Sequence, residues 1–166
     1  FLFRLYGLNP DFSIVGKGFP GGEYPASKII TTAEMDTLNQ FGALVTNGQE
    51  ELAALSYLIT MTFMRANGDK VAELGKHFTE GLKELHRKHS DVILDVEGLG
   101  HLAALHFHTV DDAAAFASEM KKACIDASAQ IYKANCLPAM LMKPPVIADE
   151  ATLDYIVETI DRLLAK

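Results

Sequence analysis

Lys17 sits in the stretch Asp11 to Gly22, DFSIVGKGFPGG, with Gly16 before it and Gly18, Gly21 and Gly22 after it. A primary amine at the tip of a short apolar run is a candidate carbonyl nucleophile. Phe12, Ile14 and Val15 supply the run, and the glycines let a ligand approach the backbone closely. In a desolvated pocket such an amine has a lowered pKa and condenses with an aldehyde to a Schiff base. An isolated Gly-Lys-Gly is more often a solvated turn. The stretch is not a phosphate-binding P-loop, because Lys17 lacks the required glycine spacing and the following Ser or Thr.

Three other groups have chemistry-bearing residue types. Thr46-Asn47-Gly48 precedes a helical pattern, so a hydroxyl and backbone N–H groups there suit either a plain helix cap or a phosphate. His101, His106 and His108 form a histidine cluster on a strand pattern. No Cys, Asp or Glu completes a recognised metal spacing around them, so packing or surface roles are expected and no metal is assigned. Cys124 and Cys136 suit buried thiols in a reducing cytosol better than a disulfide framework.

The wider Lys17 stretch resembles the lysine signature of the class III aminotransferases, pyridoxal-phosphate enzymes of fold type I. That signature runs Asp, an apolar residue, a small or apolar residue, two free positions, a small residue and Lys, then three free positions and two small residues. Asp11 to Gly22 satisfy it at every step, and Tyr24-Pro25 matches a frequent continuation. The resemblance covers essentially all of the chain. It implies that Lys17 is the catalytic and cofactor-binding residue, holding pyridoxal 5'-phosphate as a Schiff base. It implies that Thr46 reaches the cofactor phosphate of a neighbouring subunit, and hence a homodimer with a shared active site. It further implies amino-group transfer between an amine or amino acid and a keto acid or aldehyde. Racemases, aminomutases and a decarboxylase share the resembled fold.

Two stretches depart from the family pattern. After Thr46 the family commonly reads Gly-Gly-Asn-Pro-Leu-Ala, of which only Gly48, Leu52 and Ala53 agree here. Near the end a frequent Arg-x-x-Pro-Pro is replaced by Leu141, Met142, Lys143, Pro144 and Pro145. A guanidinium pairs with a substrate carboxylate in a bidentate way that leucine cannot. The chain also opens FLFRLYGLNPDF, and the resemblance matches only the C-terminal part of such an enzyme. The polypeptide by itself is therefore expected to be inactive, or to serve only as an interaction or dimerisation piece.

These residues must be positioned by an α/β framework. The resemblance implies the end of a large-domain sheet over residues 1–66, from the cofactor-binding part, then a small C-terminal α/β domain over 67–166. A length of 166 residues, 49% of them hydrophobic, allows one domain or slightly more and a real core. A net charge of -7 argues against nucleic acid as the main partner. No apolar run is long enough to span a bilayer and no signal peptide is visible, so a cytoplasmic protein is expected.

Periodicity supplies the elements. Phe1 to Tyr6 suits a short helix or an irregular segment, Phe12 to Val15 a buried strand, and Lys28 to Thr32 a second strand followed by a short helix capped by Thr32. A helix is expected from about Gln49 to Ala66, with Leu52, Leu55, Ile59 and Phe63 on its buried face and Met61 and Met64 packing. Asn67-Gly68 is expected to stop it and Asp69 to cap a second helix to about His89, with Val71, Leu74, Phe78, Leu82 and Leu85 buried. Strands are expected over Val92 to Val96 and His101 to His108, joined at Glu97 to Gly100. Gln130 to Tyr132 and Met140 to Met142 are the remaining candidates. Asp111 is expected to cap a helix to about Asp126, and Asp149 to cap a last helix burying Leu153, Ile156, Ile160 and Leu163.

Overall fold

The computed structural model describes residues 1–22, 24–39, 41–42, 48, 50–132 and 135–165. The element order is α1 (Leu2–Leu5), β1 (Phe12–Val15), β2 (Lys28–Thr31), α2 (Glu51–Lys88), β3 (Ile93–Leu99), β4 (Leu102–Phe107), α3 (Val110–Lys122), β5 (Ser128–Gln130), β6 (Ala139–Met142) and α4 (Glu150–Leu164). This is an α/β chain. It forms two compact units, Phe1–Ala66 and Asn67–Lys166.

In the first unit β1 and β2 pair antiparallel, with Phe12 opposite Thr31 and Val15 opposite Lys28. The apolar run of β1 leads one to expect a strand covered on both faces, but only Val15 is buried. Phe12 and Ile14 are exposed, as are Ile29 and Ile30 on β2. A two-stranded ribbon has no second layer to cover its faces. Thr32 starts a hydrogen-bonded turn rather than a helix, its carbonyl accepting from the Met35 N–H at 3.1 Å.

α2 is one continuous helix of 38 residues through Asn67, Gly68 and Asp69. The expected break does not occur. Interior glycine costs a helix only about 1 kcal/mol relative to alanine, and neither residue lacks a backbone N–H as proline does. The expected apolar face of its first half is also wrong: Leu52, Leu55 and Ile59 are exposed, and Ala53 and Tyr57 are buried instead. Met61 and Met64 are not buried either. Contact in this unit is made by the Tyr57 side, because that ring has both an aromatic partner and backbone acceptors to meet.

The second unit has an antiparallel sheet in the order β3-β4-β6-β5. Its core joins Leu74, Phe78, Leu82 and Leu85 of α2 to Leu105 and Phe107 of β4, Met120 of α3, Met140 of β6, and Leu153 and Ile160 of α4. Each such large side chain contributes about 1.5–3 kcal/mol when fully buried. β3 continues to Leu99 through the expected connection, so the β3–β4 turn is only Gly100-His101. Gly98 makes that possible: its φ is +136°, and a Cβ there would stand 2.2 Å from the Leu102 carbonyl oxygen. Gly75 plays a similar part on α2, where a Cβ would meet the Gly100 Cα at 2.7 Å.

Helix ends follow local hydrogen bonding. Thr109, not Asp111, caps α3, accepting from the Asp112 N–H at 3.1 Å, and the helix ends at Lys122, short of the expected Asp126. The two acidic residues at 111 and 112 sit instead in the first turn, where the helix dipole favours them. β5 falls on Ser128–Gln130, slightly before its expected place. Asp149 caps α4 as expected, through the Thr152 N–H at 2.9 Å. The bond from the Thr152 hydroxyl, and then that one, hold the Asp149 carboxyl below its ordinary pKa.

Candidate active site around Lys17

β1 ends at Val15, and Gly16 turns the chain out of the ribbon. A Cβ at Gly16 would press on the Ser27 Cβ at 3.2 Å, so a small residue suits this position. The Gly16 carbonyl then accepts from the Phe19 N–H at 3.0 Å, and the Gly18 carbonyl from the Gly21 N–H at 3.1 Å. Lys17 lies inside the first of these turns with φ +53°. A left-handed conformation costs a lysine roughly 1–2 kcal/mol relative to glycine, so this lysine is held where local preference alone would not put it.

Phe19 anchors the turn from below. Its ring lies 5.4 Å from that of Tyr57 and 5.6 Å from that of Phe1. The Tyr57 hydroxyl donates to the Ala26 carbonyl at 3.1 Å, tying α2 to the segment entering β2. Val15, Phe19, Tyr57 and Lys28 help to line a groove of about 830 Å³ in this unit. Tyr24, on the Tyr-Pro continuation, donates to Glu50, and that carboxylate raises its pKa above the ordinary phenol value. Sequence reasoning misses both Tyr57 and the groove. A lone tyrosine among the leucines of an amphipathic pattern carries no signal of its own.

Lys17 itself is exposed and lies outside the groove lining, so the described residues of this unit do not form the enclosing pocket expected of a desolvated amine. Among the described residues no carboxylate forms an ion pair with it. At the adjacent Gly18, a Cβ would meet no atom within 4 Å among the described residues. Among the described residues, Lys17 is thus an amine without an ion-pair partner beside a glycine with open space around it. Thr46 lies outside the described residues.

The second unit holds the other residues singled out. Leu141 is on β6, opposite Ala104 and Ser128, with Lys143 exposed just beyond the strand. His106 is buried and donates through Nε2 to Glu97 at 3.2 Å, leaving Nδ1 without a partner among the described residues. His101 donates to the Val71 carbonyl at 3.3 Å. β4 ends before His108, which is exposed, so the three histidines do not converge. Cys124 and Cys136 are free and exposed rather than buried. Cys124 takes φ +61° just past the end of α3, which turns it outward.

The family model of the class-III aminotransferases matches residues 1–164. The acetylornithine aminotransferase of Caldanaerobacter subterraneus subsp. tengcongensis is 24% identical over 168 residues, covering 100% of this chain and 41% of that protein. The ornithine aminotransferase of Plasmodium falciparum is 36% identical over 109 residues, 61% of this chain and 25% of that one. Among solved structures, the acetylornithine aminotransferase of Elizabethkingia anophelis superposes with a TM-score of 0.85 at 23% identity, over 98% of this chain and 42% of that chain. The chain thus spans about two-fifths of the length of such relatives.

Proposed function

The chain belongs to the class-III aminotransferases, and we propose that Lys17 is the residue through which it takes part in amino-group transfer. The observation that carries this reading is the Lys17 amine just past the end of β1, held at φ +53°, flanked by glycines and without an ion-pair partner among the described residues. Those features fit pyridoxal 5'-phosphate, an aldehyde that needs an uncommitted amine and room beside it. When bound, that cofactor supplies a carbonyl to receive the amino group and a ring that takes up electrons from the broken bond.

Lys17 Nζ is the attachment point for the cofactor and, once freed by the incoming amine, carries the proton that must change carbon atoms. Tyr57 and Phe19 hold the turn that presents it. Thr46 is assigned to the cofactor phosphate of a partner subunit. The donor is an amine or amino acid and the acceptor a keto acid or aldehyde. With Leu141 where the family often has arginine, a substrate carboxylate is not clamped by a guanidinium at that position.

The activity is assigned to a protein of which this chain forms part, and the chain alone is proposed to be inactive. A homodimer belongs to the same reading, supported by the apolar residues that the first unit leaves exposed, among them Ile14, Ile29, Leu52, Leu55 and Ile59. A cytoplasmic setting is supported by the two free, exposed cysteines. Among the described residues no helix is long and apolar enough to cross a membrane.

Borohydride reduction of the full-length protein with equimolar pyridoxal phosphate tests the assignment. Peptide mapping should find the pyridoxyl group on Lys17 at one equivalent per chain. Labelling spread over surface lysines, or unchanged in Lys17→Ala, would overturn it. A monomer in sedimentation of the full-length protein would overturn the dimer.

A further inference from the structure

His77 of α2 and Glu150 and Asp154 of α4 bring three donor atoms within 4.8 Å of one another. Glu150 and Asp154 are four residues apart on one helix and share a face. His77 Nε2 already stands 2.6 Å from Asp154 Oδ1. Four ligands around a tetrahedral cation with bonds of about 2.0–2.1 Å are separated by roughly 3.3 Å. Reaching that value needs the 2.6 Å His77–Asp154 contact to open and the exposed Glu150 side chain to rotate, on two helices held by the core of the second unit.

We propose that His77, Glu150 and Asp154 bind one divalent transition-metal cation of the zinc class on the surface of the second unit, with water completing its shell. The imidazole distinguishes this group from ordinary surface carboxylates. Oxygen donors alone suit magnesium or calcium, whereas nitrogen with carboxylates suits zinc. The local field favours a cation: Glu80 also acts on His77, and it shares its charge with Lys76 at 3.7 Å. A bound ion bridges α2 and α4 and stabilises the second unit by mass action. The site is independent of Lys17 and of the amino-transfer reading.

Calorimetric titration of the purified protein with zinc chloride near neutral pH, paired with thermal unfolding, tests the site. One saturable zinc equivalent dependent on these residues is expected, with a rise in unfolding temperature and no equivalent response to magnesium. His77→Gln should weaken zinc binding at least about tenfold. Glu150→Gln, at an exposed side chain, should do the same should His77→Gln fail to fold, and His89→Gln should leave the affinity unchanged. No saturable binding, or equal affinity in the His77→Gln and Glu150→Gln variants and the parent, would show that the His77–Asp154 pair is a hydrogen bond only and would overturn the proposal.

Discussion

The ring of Tyr57 lies 5.4 Å from that of Phe19, two positions beyond Lys17, and its hydroxyl reaches the Ala26 carbonyl at 3.1 Å. One side chain of α2 therefore fastens both ends of the loop that carries the lysine. Because few other described residues of the first unit are buried, that fastening matters more than a single aromatic would in a deep core. Tyr57→Phe should cost about 1 kcal/mol by loss of the hydrogen bond, and Tyr57→Ala about 3 kcal/mol. Urea unfolding of the two variants measures the difference. An equal effect of both would place the contribution in the hydroxyl rather than in the ring stack.

Substitution of Lys17 should separate stability from the activity proposed for it. Lys17→Gly relieves a positive φ of +53° and should stabilise the fold by up to about 1 kcal/mol. The same change should lower amino transfer by the full-length protein at least about a hundredfold, because general acid–base help alone contributes that much. Lys17→Arg keeps the charge but not a titrating amine, and should be as inactive. A stable and active Lys17→Gly protein would contradict the assigned role.

Two glycines should respond in opposite directions to alanine. Gly68 lies within α2, and a Cβ there would meet nothing within 4 Å, so Gly68→Ala should stabilise by about 0.5–1 kcal/mol. At Gly98 the added Cβ would collide with the Leu102 carbonyl oxygen, and φ +136° is closed to other residues. Gly98→Ala should cost about 3 kcal/mol or more and loosen the β3–β4 hairpin. Thermal melts of the two variants distinguish these outcomes.

Asp161 should give the second unit a pH dependence. His89 and Lys88 both reach its carboxylate at 2.6 Å, and hydrogen bonds from them, His89 first, hold its pKa below the ordinary 3.8. A depressed carboxylate contributes stability that is fully present above the unfolded pKa and is lost as pH falls through the folded one. Asp161→Asn should therefore cost roughly 1 kcal/mol at neutral pH, and the difference from the parent should vanish at pH values below the depressed pKa. High salt should reduce the neutral-pH cost, since the Asp161 side chain is 33% exposed. An unchanged difference across acid pH would rule out the carboxylate as its source.

Much of the local structure is legible in the residues. β1 begins and ends where the apolar run does, Asp149 caps α4, and the stripe Leu74, Phe78, Leu82 and Leu85 is buried. Each depends on neighbours a few positions apart. Asn67-Gly68 does not break α2 because its local preference to stop a helix is weak beside the cost of interrupting one. Leu52, Leu55 and Ile59 stay exposed because periodicity shows that a helix has an apolar face, not that anything covers it.

By itself the sequence determined most of the elements, the order in which they come, and the one amine set among glycines, because strand, cap and turn preferences act within a few residues along the chain. Only the tertiary structure decided that Tyr57 meets Phe19, that His77 meets Asp154 and that the three strand-region histidines stay apart. Those outcomes join positions distant along the chain. They are set by packing and helix register, which no local preference encodes.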